Sequence, residues 1–239
     1  MQSNNKIISS VRLFRTSPHP CSYKEAEQAA TVFVDPDLVI DKGLNSKLSE
    51  LGYRRSGAHL YRPDCDFCQA CISCRVPVTD FKFDRSQRRI LRRNESLRVV
   101  EKSDLTDGIA YDLYQRYINL RHHDGDMYPA TQEQYEAFIK TKTVDTRFYL
   151  FYDENSLVAV SVVDVLEQGL SAVYTFFDPD LSQRSLGNFA ILWQIQRCQQ
   201  LGLPYLFLGY WIKGCGKMEY KSKFRPLEML INGRWVLIK

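Results

Sequence analysis

The reading of the fold turns on residues 148–179, F-Y-L-F-Y-D-E-N-S-L-V-A-V-S-V-V-D-V-L-E-Q-G-L-S-A-V-Y-T-F-F-D-P. Three β-branched and aromatic runs, Phe148–Tyr152, Leu157–Val165 and Leu170–Phe177, are separated by Asp153-Glu154-Asn155 and Gln168-Gly169. Such turn residues between short apolar runs predict an antiparallel meander. Asp178-Pro179 ends the third strand.

Outward from this meander the chain is regular. Upstream, Leu97–Glu101 predicts a strand, and Leu113, Tyr114, Tyr117 and Leu120 recur at helical spacing within Ala110–Arg121. Thr131 and Gln134 form a capping box for a second helix. Downstream, Ile191, Leu192, Ile195 and Cys198 share one helical face, and Gly202 and Pro204 stop that helix. Tyr205–Leu208 predicts a buried strand, Lys213–Phe224 a last helix, and Asn232-Gly233 a type I′ hairpin between Leu227–Ile231 and Trp235–Ile238. The order β-α-α-β-β-β-α-β-α-β-β resembles the acyltransferase fold of the N-acetyltransferase (GNAT) superfamily. That superfamily cradles a cofactor pyrophosphate on a Q/R-x-x-G-x-G/A loop opening a helix. Here the run is Arg184-Ser185-Leu186-Gly187-Asn188-Phe189, with phenylalanine in the last position. This weakens the case for a coenzyme A site, and Gly187 is equally well read as permitting a tight start to the helix.

Residues 1–95 carry prolines at 18, 20, 36, 63 and 77 and most of the cysteines. They predict a small α/β domain with a helix in Leu38–Leu51 and a hairpin turning at Ser56-Gly57. The fold class is thus α+β. A small N-terminal α/β domain with a cysteine knuckle, 1–95, precedes a GNAT-like mixed sheet flanked by helices, 96–239.

Cys65, Cys68, Cys71 and Cys74 follow one another at three-residue spacing. Four thiolates can hold zinc or an iron–sulfur cluster. The spacing matches neither paired zinc knuckles across a longer loop nor the ferredoxin run, which ends in Cys-Pro. Reduced thiols are the competing reading. Arg85, Arg88, Arg89, Arg92 and Arg93 stand at i, i+3, i+4, i+7 and i+8 with no acid among them. On a helix they make one basic stripe suited to an RNA phosphate backbone. Lys213, Lys217 and Lys221 repeat at i, i+4, i+8 and suggest a second footprint. With 32 basic against 28 acidic residues, such binding must come from local clusters. No apolar run approaches the roughly 20 residues of a membrane span. Met1–Ser10 lacks a signal pattern, so a cytoplasmic protein with no membrane partner is expected.

Several segments, in order, resemble the bacterial aspartate/glutamate leucyltransferases, relatives of the arginyl-tRNA–protein transferases. They are S-P-H-P-C-S-Y at 17–23, L-G-Y-R-R-S-G at 51–57, Y-R-P before the cysteines, V-P-V at 76–78 and S-Q-R-R at 86–89. Y-T-F-F-D-P at 174–179, L-G-Y-W-I-K-G-C at 208–215, K-M-E-Y-K at 217–221 and F-R-P-L-E at 224–228 complete the match. The resemblance implies transfer of leucine from Leu-tRNA to the α-amino group of proteins beginning with Asp or Glu, which marks them for N-degron degradation. Arginyl transfer, CoA-dependent N-acetylation and non-enzymatic RNA binding are the alternatives. Family members with N-terminal-domain cysteines at a metal or cluster make Cys21 a further candidate ligand.

The reaction turns an ester into an amide, so it requires no cofactor. An α-amine of pKa roughly 8 needs little activation. The enzyme must align the reactants and stabilise an oxyanion. Tyr174, Asp178 and Tyr210, at the ends of central strands, are candidates: Asp178 to take a proton or orient the amine, a tyrosine to donate to the oxyanion. Arg75, then Arg62 and Arg54, are candidates for the acceptor's carboxylate, because a guanidinium binds both oxygens. Trp211 and Phe177 are candidates for an apolar donor pocket.

Overall fold

The computed structural model describes residues 11–106, 108–142 and 144–238; Met1–Ser10, read above for a signal, lies outside them. The N-terminal part holds strands β1 (Leu13–Arg15), β2 (His19–Pro20), β3 (Gln28–Ala29) and β4 (Thr31–Val34). Helix α1 (Lys42–Glu50) and strands β5 (Arg54–Ser56), β6 (His59–Pro63) and β7 (Ile72–Pro77) follow. Asp41 caps α1 by accepting from the amide of Leu44. Strands β1, β4, β6 and β5 make a four-stranded sheet in that order, closed over Val32, Val34, Leu48, Tyr53 and Leu60.

Next come α2 (Arg85–Arg93), β8 (Arg98–Lys102), α3 (Ile109–Arg121) and α4 (Gln132–Tyr135), the last continued by a π-helical turn to Lys140. The meander is β9 (Thr146–Asp153), β10 (Ser156–Val165) and β11 (Gly169–Phe177). Then α5 (Leu186–Gln200), β12 (Tyr205–Trp211), the short α6 (Gly216–Glu219), β13 (Leu227–Ile231) and β14 (Arg234–Ile238) complete the chain. The large sheet has eight strands in the order β14-β13-β7-β12-β11-β10-β9-β8. Along β9, Phe148 and Leu150 face the core beneath α3 and α4, while Tyr149 and Phe151 face the core beneath α5. This period of two is what a strand covered on both faces requires.

Three expectations are revised. Strand β7 precedes residue 95, yet it lies inside the large sheet, between β12 and β13, so the sheet is built from both sides of that point. The expected helix over Lys213–Phe224 is two short turns, Gly216–Glu219 and a 3₁₀ turn at Tyr220–Lys223. Gly214, with φ of 78°, and Gly216 weaken helix there. The four-cysteine knuckle is not a unit, because Cys74 belongs to β7 and is fully buried.

Candidate active site and a basic helix

Among the described residues, the only parallel neighbours of the large sheet are β11 and β12, and they pair over just three residues, Gly169–Ser171 against Tyr205–Phe207. β11 continues to Phe177 and β12 to Trp211, so the strands part beyond that point. A bulge between Phe207 and Gly209 in the pairing of β12 with β7 turns the strand further. The parted ends expose backbone groups that must find partners. Arg54 reaches in from β5 and its Nη2 donates to the carbonyl of Ala172 at 2.8 Å, the first position past the paired stretch. A Cβ on Gly209 would fall 1.8 Å from Nη1 of Arg54, so only glycine lets the guanidinium rest on that backbone.

The three candidate catalytic residues are not brought together as expected. Tyr210 is buried, and its hydroxyl donates to the carbonyl of Gly52 at 2.8 Å and faces that of Tyr61 at 3.3 Å. Burial, reinforced by Tyr61, raises its pKa. The Tyr174 hydroxyl donates to the sulfur of Met127, and burial, with Tyr117 and Tyr114, holds its pKa well above the usual phenol range. Asp178 caps the 3₁₀ turn Pro179–Arg184 by accepting from the amide of Asp180 and pairs with Arg116 at 3.1 Å. That carboxylate is thus already held by an amide and a guanidinium rather than standing free for an incoming amine. Phe177 stacks on Tyr117 with centroids 4.9 Å apart and lies under the Arg121 guanidinium. Trp211 packs against the α5-side core, its indole N–H without a partner among the described residues.

Of the three arginines, Arg75 is committed elsewhere. Its Nη1 pairs with Glu50 at 2.6 Å and its Nε with Glu228 at 2.7 Å. Tyr205 and Trp235 sandwich the guanidinium at 3.6 and 4.2 Å. Two carboxylates and two aromatic faces already engage it, so it is not free for an acceptor, which corrects the first choice made from sequence. Arg62 lies over the Tyr53 ring at 5.1 Å, and its buried Nε has no partner among the described residues. It lines a cavity of about 490 Å³ together with Tyr23, Gly52, Ile72, Tyr210 and Ile212.

Cys21, Cys65, Cys68 and Cys71 line the same cavity. The Cys71 thiol is pushed up to about 11, by burial first and then by Cys21, Cys65 and Cys68. Cys74 points away, its Sγ donating to the carbonyl of Gly209 at 3.2 Å. Of the run of four, only Cys65, Cys68 and Cys71 face the cavity, and Cys21 joins them there. The donor set Cys21, Cys65, Cys68 and Cys71 suits a soft metal or cluster by type. Among the described residues, however, no three donors are disposed to hold a metal ion.

The arginine stripe is real. Asp84 and Gln87 form a capping box that starts α2, and Arg85, Arg88, Arg89, Arg92 and Arg93 are all exposed. Ile90 and Leu91 turn toward the core. Arg88 bonds the Phe83 carbonyl and Arg93 that of Gln183, whereas Arg85, Arg89 and Arg92 have no side-chain partner among the described residues. The lysine stripe is not formed. Lys213 is exposed, Lys217 pairs with Asp124 at 2.8 Å, and Lys221 is buried, donating to the Tyr210 carbonyl. At the expected phosphate loop, Phe189 packs on Phe151 in the core and Arg184 pairs with Asp153 at 2.7 Å. Among the described residues no helix is long and apolar enough to cross a membrane.

Two family profiles cover most of the chain: arginine-tRNA-protein transferase, C terminus, over residues 109–231, and its N terminus over 19–89. The chain belongs to the tRNA–protein transferase family and is an aminoacyltransferase. It is similar to an aspartate/glutamate leucyltransferase of Teredinibacter turnerae, 53% identical and covering 97% of this chain and 96% of the relative. Relatives of the same name from Pseudomonas aeruginosa strain LESB58 are 51% identical over 97% and 98% of the two chains. Those from Alcanivorax borkumensis are 54% identical over 95% and 94%. Among solved structures, the Bacillus licheniformis L-PGS superposes with a TM-score of 0.49 at 12% identity, covering 72% of this chain and 51% of that one.

Proposed function

We propose that this aminoacyltransferase moves leucine from Leu-tRNA onto the α-amino group of proteins that begin with Asp or Glu. Identities above half to full-length relatives of that name are the observation that carries the reading. The structure is consistent in its chemistry. An exposed helix presents Arg85, Arg89 and Arg92 without competing acids, as RNA phosphates require. The α5 start is filled by Phe189 rather than left open for a pyrophosphate, which disfavours acetyl-CoA.

The reading divides labour across the shared sheet. The segment before residue 95 reads the acceptor, and the GNAT-like segment after it holds the aminoacyl end where β11 and β12 part. Arg62 on the cavity wall is the arginine placed to receive the acceptor carboxylate. Phe177 and Trp211 border the apolar ground for the leucyl side chain. No cofactor is needed for transfer. A metal or cluster, if held, would sit on Cys21, Cys65, Cys68 and Cys71 and fix the cavity wall. The protein acts in the cytoplasm, where aminoacyl-tRNA is made.

The test is direct. Purified protein is incubated with radiolabelled Leu-tRNA or Arg-tRNA and peptides beginning with Asp, Glu, Ala or Lys. Leucine on the Asp and Glu peptides alone is expected. Arginine transfer would overturn the donor, and no transfer from either would overturn the reading.

A further inference from the structure

The tyrosines at the centre of the sheet do not supply a free donor for the oxyanion. Tyr210 is bonded to the Gly52 carbonyl and Tyr174 to Met127. One strong donor in the parted strands is unspent. Nη1 of Arg54 is closed off from solvent and has no hydrogen-bond partner among the described residues. Three other buried or half-buried arginines of this protein are paired with carboxylates. Arg55 pairs with Asp164, Arg75 with Glu50 and Glu228, and Arg184 with Asp153. Arg54 has no carboxylate, and neither has Lys221, whose Nζ bonds the Tyr210 carbonyl and the Met218 sulfur. The positive charge of Arg54 adds to burial in lowering the pKa of Lys221, and Cys74, Cys215 and Cys71 oppose it.

Burying two like charges without a counter-ion is costly unless negative charge arrives in use. In an ester-to-amide transfer that charge appears on the carbonyl oxygen in the transition state. A preorganised N–H in a water-poor site is worth most there. We propose that Arg54 is a catalytic residue whose Nη1 stabilises the oxyanion of aminoacyl transfer, with Lys221 as the second positive charge behind it. The acceptor amine adds its lone pair to the ester carbonyl carbon, and the π pair moves to the oxygen facing Nη1. The C–O bond to the tRNA ribose then breaks, and the ribose oxygen takes the proton that the nitrogen releases. The carbonyl re-forms as an amide, with no net proton or electron exchanged. This rests on the transfer reaction proposed above, whichever amino acid is carried.

The test compares wild type, Arg54→Lys, Arg54→Met, Arg54→Ala and Lys221→Met in Leu-tRNA-dependent transfer, with both substrates varied. Wild-type transfer in the same assay judges the reaction itself, so its failure and that of the Arg54 role are separate. Arg54→Met is expected to lower kcat by roughly 10²–10³-fold, as for loss of one oxyanion donor, with both KM values within about threefold. Arg54→Lys keeps the charge and the reach to Ala172, folds, and is expected to lose at least about tenfold in kcat. Added methylguanidinium restores part of the kcat of Arg54→Ala, which a purely structural arginine would not show. Unchanged kcat in folded Arg54→Lys overturns the proposal. So does a loss confined to the KM of the acceptor peptide or of Leu-tRNA, which would make Arg54 a carboxylate- or phosphate-binding group.

Discussion

Arg55 and Asp164 meet in a two-pronged ion pair, Nε to Oδ2 at 2.7 Å and Nη2 to Oδ1 at 2.8 Å, with side chains only 1% and 2% exposed. The pair ties β5 of the small sheet to β10 in the centre of the large one. Thr146 adds a hydroxyl to Asp164 at 2.8 Å, and the Gly57 carbonyl accepts from Arg55. Removing one partner strands a buried charge, which costs about 3–5 kcal/mol. Asp164→Ala is expected to lose that much in urea unfolding, and the double variant Arg55→Met, Asp164→Leu to recover much of it. A double variant no more stable than Asp164→Ala would show that the pair is worth more than its desolvation.

Arg75 and Arg62 separate structure from specificity. Arg75 neutralises Glu50 and Glu228 between two aromatic faces. Arg75→Met should therefore lower the melting temperature and leave any surviving Asp-over-Asn acceptor preference unchanged. Arg62→Met should leave the fold intact and raise the KM for Asp and Glu peptides about 10–100-fold, the value of a charged hydrogen-bonded contact of about 1.5–3 kcal/mol. Steady-state kinetics with peptides beginning Asp and Asn decides it. An Arg62 variant that keeps the wild-type preference would remove Arg62 from acceptor recognition.

Helix α2 is expected to set the salt dependence. Each phosphate contact contributes about 0.7–0.9 to the slope of log affinity against log salt. The double variant Arg89→Ala, Arg92→Ala should flatten that slope for Leu-tRNA by about 1.5, with the peptide KM unaffected. Both side chains are exposed and partnerless among the described residues, so stability should not change. An unchanged slope would place the tRNA elsewhere.

What the sequence disclosed was local. The Thr131 and Gln134 capping box, the arginine stripe and the Asn232-Gly233 turn each depend on neighbours within one or two turns of chain. The φ values of 51° and 74° at that turn are the type I′ values expected. What it hid was non-local. Glu50 and Glu228 lie far along the chain from Arg75: the pairing of β7 with β13 sets Glu228 opposite it, and the end of α1 brings in Glu50. The spacing of Lys213, Lys217 and Lys221 suggests an RNA footprint only on a continuous helix, which the glycines prevent, and Lys221 is buried instead. Three-residue spacing groups Cys74 with Cys71, whereas β7 carries that cysteine into the core.

The thiols give a separable test of metal content. Protein purified without oxygen, if it carries zinc or iron, should lose the metal in Cys71→Ser and in Cys21→Ser and keep it in Cys74→Ala. Cys74 touches the Gly209 carbonyl rather than the cavity. Elemental analysis reads the outcome. Metal lost from Cys74→Ala but kept in Cys21→Ser would restore the four-in-a-row ligand set.

Lys221 should leave its mark on stability against pH. Burial, with Arg54 adding, lowers its pKa to about 8, against 10.5 for a free lysine; Cys74, Cys215 and Cys71 pull the other way. The Tyr210 carbonyl and the Met218 sulfur are its direct contacts. The native state gives up this proton more readily than the unfolded chain does. Between about pH 8 and 10.5 the unfolded state therefore binds more protons, and stability rises with pH by this term. Below about 8 both states are charged and the cost of the buried cation is fully present. Raised pKa values at Cys74, Cys71 and Tyr210 work in the opposite sense, because their thiols and phenol stay protonated longer when folded. The lysine is therefore read from a difference. Wild-type unfolding free energy minus that of Lys221→Met should climb across pH 8–10.5, by a few kcal/mol at most. A flat difference would mean that Lys221 is hydrated in solution and carries its charge without penalty.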